Sequence, residues 1–187
     1  MFFDSLFPTD VIRSHNVLSK DQLKELRSQI TDERQTTPDL NYIPLRDKVY
    51  ELITEYLNVI QVKVPDLDMV GMWGNTMKPG ECHRPHNHGN SYFSGVFYVT
   101  SGPDCPPIEF IDPRVKAGAC PDVKEYNPHN STTWAYPSVE NSLLIFPSWL
   151  QHWVPTNESQ QDRVSVSFNI MIRGKMGDWK GLTEATW

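Results

Sequence analysis

The sequence contains no run of about 18 apolar residues, the length a helix needs to cross a bilayer, so no membrane-spanning helix is expected. It carries no surplus of basic charge either. The formal net charge of −6 argues against non-specific binding to nucleic acid or to an anionic membrane surface. The N-terminal stretch MFFDSLFPTDVIRSHNVLS lacks a basic region, an apolar segment and a small-residue cleavage site in that order, so we read no secretory signal in it. Cysteine is scarce. Cys82, Cys105 and Cys120 are odd in number and form no CxxC pair, which predicts reduced thiols in a cytoplasmic protein. There is no internal repeat and no low-complexity linker. A chain of 187 residues suits one domain, residues 1–187, with a sizeable core.

Proline and tryptophan are present instead, at fifteen and six residues, a balance of turns and aromatic strands that predicts a mainly β architecture. The first third differs. Ser19 followed three residues later by Gln22 reads as a capping box, and Leu23, Leu26 and Ile30 then recur at helical spacing. A second helix starts near Pro44 and presents Leu45, Val49, Leu52, Ile53, Tyr56, Leu57 and Ile60 as one apolar stripe. Residues 1–65 are therefore expected to form a helical layer packed on a sheet. Residues 66–175 are expected to form the β core, with strands at 66–78, 80–88, 93–100, 107–111, 142–147 and 163–173. Residues 112–140 read as an irregular insertion with one short strand.

Three of the six histidines fall within ECHRPHNH, residues 81–88, ahead of the aromatic run SYFSGVFYV. In a regular strand His86 and His88 project together and His83 projects oppositely. Two histidines on one face can grip a metal, although a pair of surface histidines near a turn satisfies the same spacing. His152, in NSLLIFPSWLQHW, is the candidate third ligand; a histidine between Leu and Trp is also a common core residue. Residues 163–172, RVSVSFNIMI, alternate cleanly. Val164, Val166, Phe168, Ile170 and Ile172 share one face; Arg163, Ser165, Ser167 and Asn169 share the other. A solvated face usually carries Lys, Glu and Thr. One Arg followed by small polar groups instead fits the floor of an anion pocket, because a guanidinium fork matches a carboxylate.

The ordered blocks HxH, SGVFYV, IEFIDPR, LLIFPSWLQHWV and RVSVSFN, over roughly residues 70–173, resemble the iron(II)- and 2-oxoglutarate-dependent oxygenases. That resemblance implies a double-stranded β-helix, a jelly-roll barrel of the cupin type with helices packed on one sheet. It implies Fe(II) and 2-oxoglutarate as cofactors and O₂ as co-reactant. It further implies oxidation, usually hydroxylation, of a small molecule or protein side chain with release of succinate and CO₂. On this sequence the metal ligands would be His86, His88 and His152. Arg163 and Ser165 would hold the cosubstrate, with Asn75 and Tyr98 beside them. Ser91, Tyr92 and Trp153 fall on the substrate side, and Trp149 and Phe97 are further candidates for the pocket lining. The family's usual acidic ligand is replaced by His88, so Asp112 as the third ligand, or a site with two protein ligands, stays open. Two other readings stay open: a cupin-like dioxygenase or isomerase without a cosubstrate, which explains three imidazoles directly, and a noncatalytic binding module that keeps a metal for structure, for which zinc on Cys82 and His83 is conceivable. The first leaves the Arg163–Ser165 pair without a purpose, and a structural zinc site is normally closed by four ligands.

Overall fold

The protein was analysed as a computed structural model that describes residues 2, 4–32, 36–114, 122–177 and 183–187. Cys120 and part of the insertion therefore lie outside the described residues. In chain order the elements are β1 (Ile12–His15), α1 (Lys20–Ser28), β2 (Thr36–Thr37), α2 (Ile43–Val59), β3 (Asp66–Met77) and β4 (His83–His86). There follow β5 (Phe93–Thr100), β6 (Ile108–Ile111), β7 (Thr133–Tyr136), β8 (Ser142–Pro147), β9 (His152–Val154) and β10 (Arg163–Arg173). A short C-terminal pair, β11 (Lys175–Met176) and β12 (Ala185–Thr186), completes the order. The strands form a six-stranded sheet, β1-β8-β5-β10-β3-β2, and a four-stranded sheet, β4-β9-β6-β7, with antiparallel pairing throughout. No helix among the described residues is long and apolar enough to cross a membrane.

The capping box at Ser19 forms as the sequence predicts. Gln22 donates its N–H to Ser19 Oγ at 3.2 Å, and Gln22 Oε1 accepts the Ser19 N–H at 2.9 Å. Leu45, Val49, Ile53 and Leu57 lie on one stripe of α2 and are fully or almost fully buried, each contributing about 1.5–3 kcal/mol. They pack with Phe97, Leu143, Ile145, Val166 and Phe168 on one face of the larger sheet. The other face carries Val96, Tyr98, Leu144 and Phe146, which meet Ile108 and Phe110 of the smaller sheet. β5 thus faces apolar layers on both sides, which is why FSGVFYV reads as nearly continuous apolar sequence. Gly95 is where Phe168 crosses it. An added Cβ would run into the Phe168 ring and sit 2.6 Å from the Leu144 carbonyl oxygen. Gly95→Ala is therefore expected to lower stability by about 1–3 kcal/mol in urea unfolding, through overpacking.

Two expectations need correction. Residues 1–65 are more than a helical layer, because they also supply both edge strands of the larger sheet, β1 beside β8 and β2 beside β3. The strand expected over 80–88 is confined to His83–His86. Its register runs from His83↔Val154 to His86↔His152 with an irregularity between, four residues on β4 against three on β9. Pro85 sits in that bulge and has no N–H to give to the ladder. The extra residue cancels the parity argument for His83, which faces the same side as His86.

Candidate metal centre and anion pocket

Between the sheets, where β4 and β9 face β3 and β10, lies a cavity of about 220 Å³ that gathers His83, His86, His88, His152, Arg163 and Ser165. The ligating nitrogens of His86, His88 and His152 lie within 4.8 Å of one another. β4 and β9 pair His86 directly with His152, bringing their rings to 4.4 Å between centroids. His88 lies just past the end of β4, where its N–H donates to the Ser148 carbonyl at 2.9 Å. This anchors the residue to the turn that follows β8. His83 lines the cavity without joining the cluster of three.

Each of the three rings has a fixed partner for one nitrogen. Nδ1 of His86 donates to the Arg84 carbonyl at 2.7 Å, and Nδ1 of His152 donates to the Leu150 carbonyl at 2.9 Å. A carbonyl can only accept, so the proton sits on Nδ1 and Nε2 keeps its lone pair for a metal. His88 hydrogen-bonds to the Asn169 side chain. Asn169 Oδ1 in turn accepts from Ser94 Oγ at 2.7 Å, and Ser94 Oγ lies 2.8 Å from Ser148 Oγ. Partners of this kind orient ligands and typically change metal affinity 10–100-fold. Asn169→Ala is accordingly expected to weaken metal binding by about 10–100-fold with the secondary structure intact, as read by competition with a chelator.

Burial pushes the pKa of His152 down to about 4, with His86, His88 and His83 adding smaller effects in the same direction. His152 is 5% exposed and packed against the Phe146 ring at 4.8 Å between centroids. His88 and His83 are also lowered, chiefly by burial, and for His83 next by the Arg163 charge. Neutral imidazoles are the form that binds metal. The sign of the pH dependence follows. In the metal-free protein the folded His152 takes a proton near pH 4, and the unfolded chain takes it near 6.5. The stability from a neutral His152 is complete above pH 6.5 and is lost as the pH falls towards 4. Urea unfolding of the metal-free protein should show that slope, and His152→Leu should flatten it.

The other end of the cavity holds a buried cation. Arg163, at the start of β10, is 2% exposed, and its guanidinium lies over the Tyr98 ring at 4.9 Å. Its Nη1 donates to Ser165 Oγ at 3.4 Å, while its Nε has no hydrogen-bond partner. The Tyr98 hydroxyl is close to the guanidinium but satisfies no hydrogen-bond geometry. Among the described residues no carboxylate lines the cavity. A buried guanidinium without an acid beside it is costly, so the donors are arranged for an anion that comes from outside the chain. The residues present therefore fit both a divalent metal and a small carboxylate.

His86, His88, His152, Arg163, Ser165 and Asn75 thus meet in one cavity, and Tyr98 supports Arg163 from the larger sheet. Ser91, Tyr92 and Trp153 do not line it. Trp153 lies between His152 and Val154, which do, so strand alternation directs it away. Trp149 is exposed and Phe97 belongs to the helix-side core. Asp112 pairs with Arg114 at 2.9 Å and lies outside the ligand cluster. Trp73, which stacks over His88 with centroids 6.0 Å apart, escaped the sequence reading. Parity with Asn75 two residues on would have found it.

Comparison with curated protein sequences finds no match. Among solved structures, a prolyl-4-hydroxylase from Pseudomonas putida superposes with a TM-score of 0.61 over 89% of each chain at 14% identity. HygX from Streptomyces hygroscopicus, solved with nickel and 2-oxoglutarate bound, superposes with a TM-score of 0.59 over 95% of this chain and 92% of its own, also at 14% identity. The carbocyclase SnoK from nogalamycin biosynthesis gives 0.62 over 89% and 81%, at 13% identity. At these identities the superpositions establish a shared fold. The family described as "Putative 2OG-Fe(II) oxygenase" matches residues 71–169, more than half of the sequence and every residue that lines the cavity, so the chain belongs to the 2OG-Fe(II) oxygenases, enzymes that use iron(II) and 2-oxoglutarate.

Proposed function

We propose that His86, His88 and His152 hold iron(II), and that Arg163, backed by Ser165 and Tyr98, holds the far carboxylate of 2-oxoglutarate. The scaffold is a double-stranded β-helix formed by one domain over residues 1–187. The observation that carries this reading is a buried Arg163, with no acid beside it among the described lining residues, in the same small cavity as three clustered imidazoles, two of them with Nδ1 held by a carbonyl and Nε2 left free. A metalloenzyme without a cosubstrate leaves that arginine unexplained.

Iron(II), when bound, supplies the activation of O₂, with one oxygen atom ending in succinate and the other in a hydroxylated product as CO₂ leaves. The protein binds, orients and excludes water. Arg163 fixes one end of 2-oxoglutarate, so its keto acid end points at the histidines. Asn75, held by its Nδ2 donation to Ser167 Oγ at 2.9 Å, borders the path between the two ends. Phe146, Val96 and Ile108 keep that path apolar. Trp73 lies where substrate approaches His88, and the substrate is a small molecule or a protein side chain. The free thiols of Cys82 and Cys105 suit the reducing cytoplasm.

Incubating purified protein with iron(II) and 2-oxoglutarate tests the reading. The expected result is slow O₂-dependent formation of succinate even without substrate, absent in Arg163→Ala. Succinate formation that ignores O₂, or none with iron and 2-oxoglutarate demonstrably bound, would contradict it.

A further inference from the structure

The cavity has an unusual charge balance if it works as proposed above, a reading on which this inference rests. Among the described residues its lining holds one permanent cation, Arg163, and no Asp or Glu. Three neutral imidazoles stand where the commoner ligand set brings a carboxylate, so the protein contributes no negative charge to the metal. Two positive charges on iron(II) and one on Arg163 then face only two negative charges on 2-oxoglutarate. One positive charge stays unmatched.

Nothing nearby in the described structure supplies the missing anion. Glu81 acts on His83 only as the weakest of its influences, lies outside the lining, and accepts the Lys78 N–H at 2.8 Å. Asp112 is paired with Arg114. The apolar residues that line the cavity with the histidines are Val96, Ile108, Phe146 and Val154, which would screen the charge of a bound metal poorly. The open side is marked by His86, which is exposed, in contrast to the buried His152. Trp73 offers a flat face there, stacked on His88.

We propose that the substrate is a carboxylic acid whose reacting end brings its own carboxylate to the mouth of the cavity beside His86 and Trp73. His88 then acts as a selectivity residue. By leaving the metal without a protein carboxylate, it makes the loaded site attractive to an anionic substrate.

The test uses full-length protein loaded anaerobically with iron(II) and 2-oxoglutarate, and follows the visible band of that complex. Phenylacetate and its neutral isostere phenylacetamide serve as probes, with chloride as a control anion. Phenylacetate is expected to perturb the band and bind at least about tenfold more tightly than the amide. In His88→Asp the preference should disappear. Equal affinity for acid and amide in the wild type would overturn the proposal, even if His88→Asp fails to hold iron. Chloride binding as tightly as phenylacetate would overturn it too, since the site would then take a free ion. A protein that forms no iron–2-oxoglutarate band at all would sink the underlying reading instead.

Discussion

His152→Ala is expected to abolish stoichiometric iron binding and activity, and His86→Ala to do the same, while His15→Ala and His129→Ala should leave both intact. His152 is buried, with its Nδ1 held by Leu150 and its neighbour across the ladder being His86. Removing it leaves at most two protein ligands on the ion. If wild-type protein is measured with metal at about 100 times its dissociation constant, the metal stabilises it by roughly 2.7 kcal/mol, and both variants lose most of that increment. His88→Ala should bind iron more weakly, since one ligand bond is lost. His83→Ala should keep its iron, because His83 lines the cavity outside the ligand cluster. The opposite pair of results, iron lost with His83 and retained without His88, would move the third ligand to His83.

Arg163→Ala is expected to weaken 2-oxoglutarate binding sharply and to leave the metal in place. The substitution deletes a forked, charge-assisted contact worth about 1.5–3 kcal/mol, which corresponds to roughly 10–150-fold in affinity. Arg163→Lys recovers only part of this, because an ammonium cannot present two parallel N–H groups. Calorimetric titration of 2-oxoglutarate into metal-loaded variants reads the effect, and metal analysis of the same samples checks that the ligands survive. Unchanged affinity in both variants would show that the buried guanidinium serves the fold alone.

Much of this site is written in short-range patterns. Alternation along RVSVSFN separates the helix-facing valines and Phe168 from Arg163, Ser165 and Ser167, and the structure keeps that separation. The stripe on α2 and the capping box at Ser19 are equally local, since each depends on residues three or four apart. The features that escaped depend on partners far along the chain. β1 and β2 are short, polar edge strands that exist because β8 and β3 offer free edges. The bulge between His83 and His86 depends on Pro85 and on the register of β9 across the sheet, so parity misplaced His83. The contact of Asn169 with His88 and Ser94 links the ends of three different segments, and no spacing rule reports it.

A structure of the protein with manganese(II), a redox-inert substitute for iron(II), and 2-oxoglutarate bound tests the central claim most directly. The account predicts one metal ion held by Nε2 of His86, Nε2 of His152 and a ring nitrogen of His88, with the far carboxylate of 2-oxoglutarate on Arg163. A metal bound through His83 or Asp112 in place of His88, or a cosubstrate whose far carboxylate avoids Arg163, would contradict it.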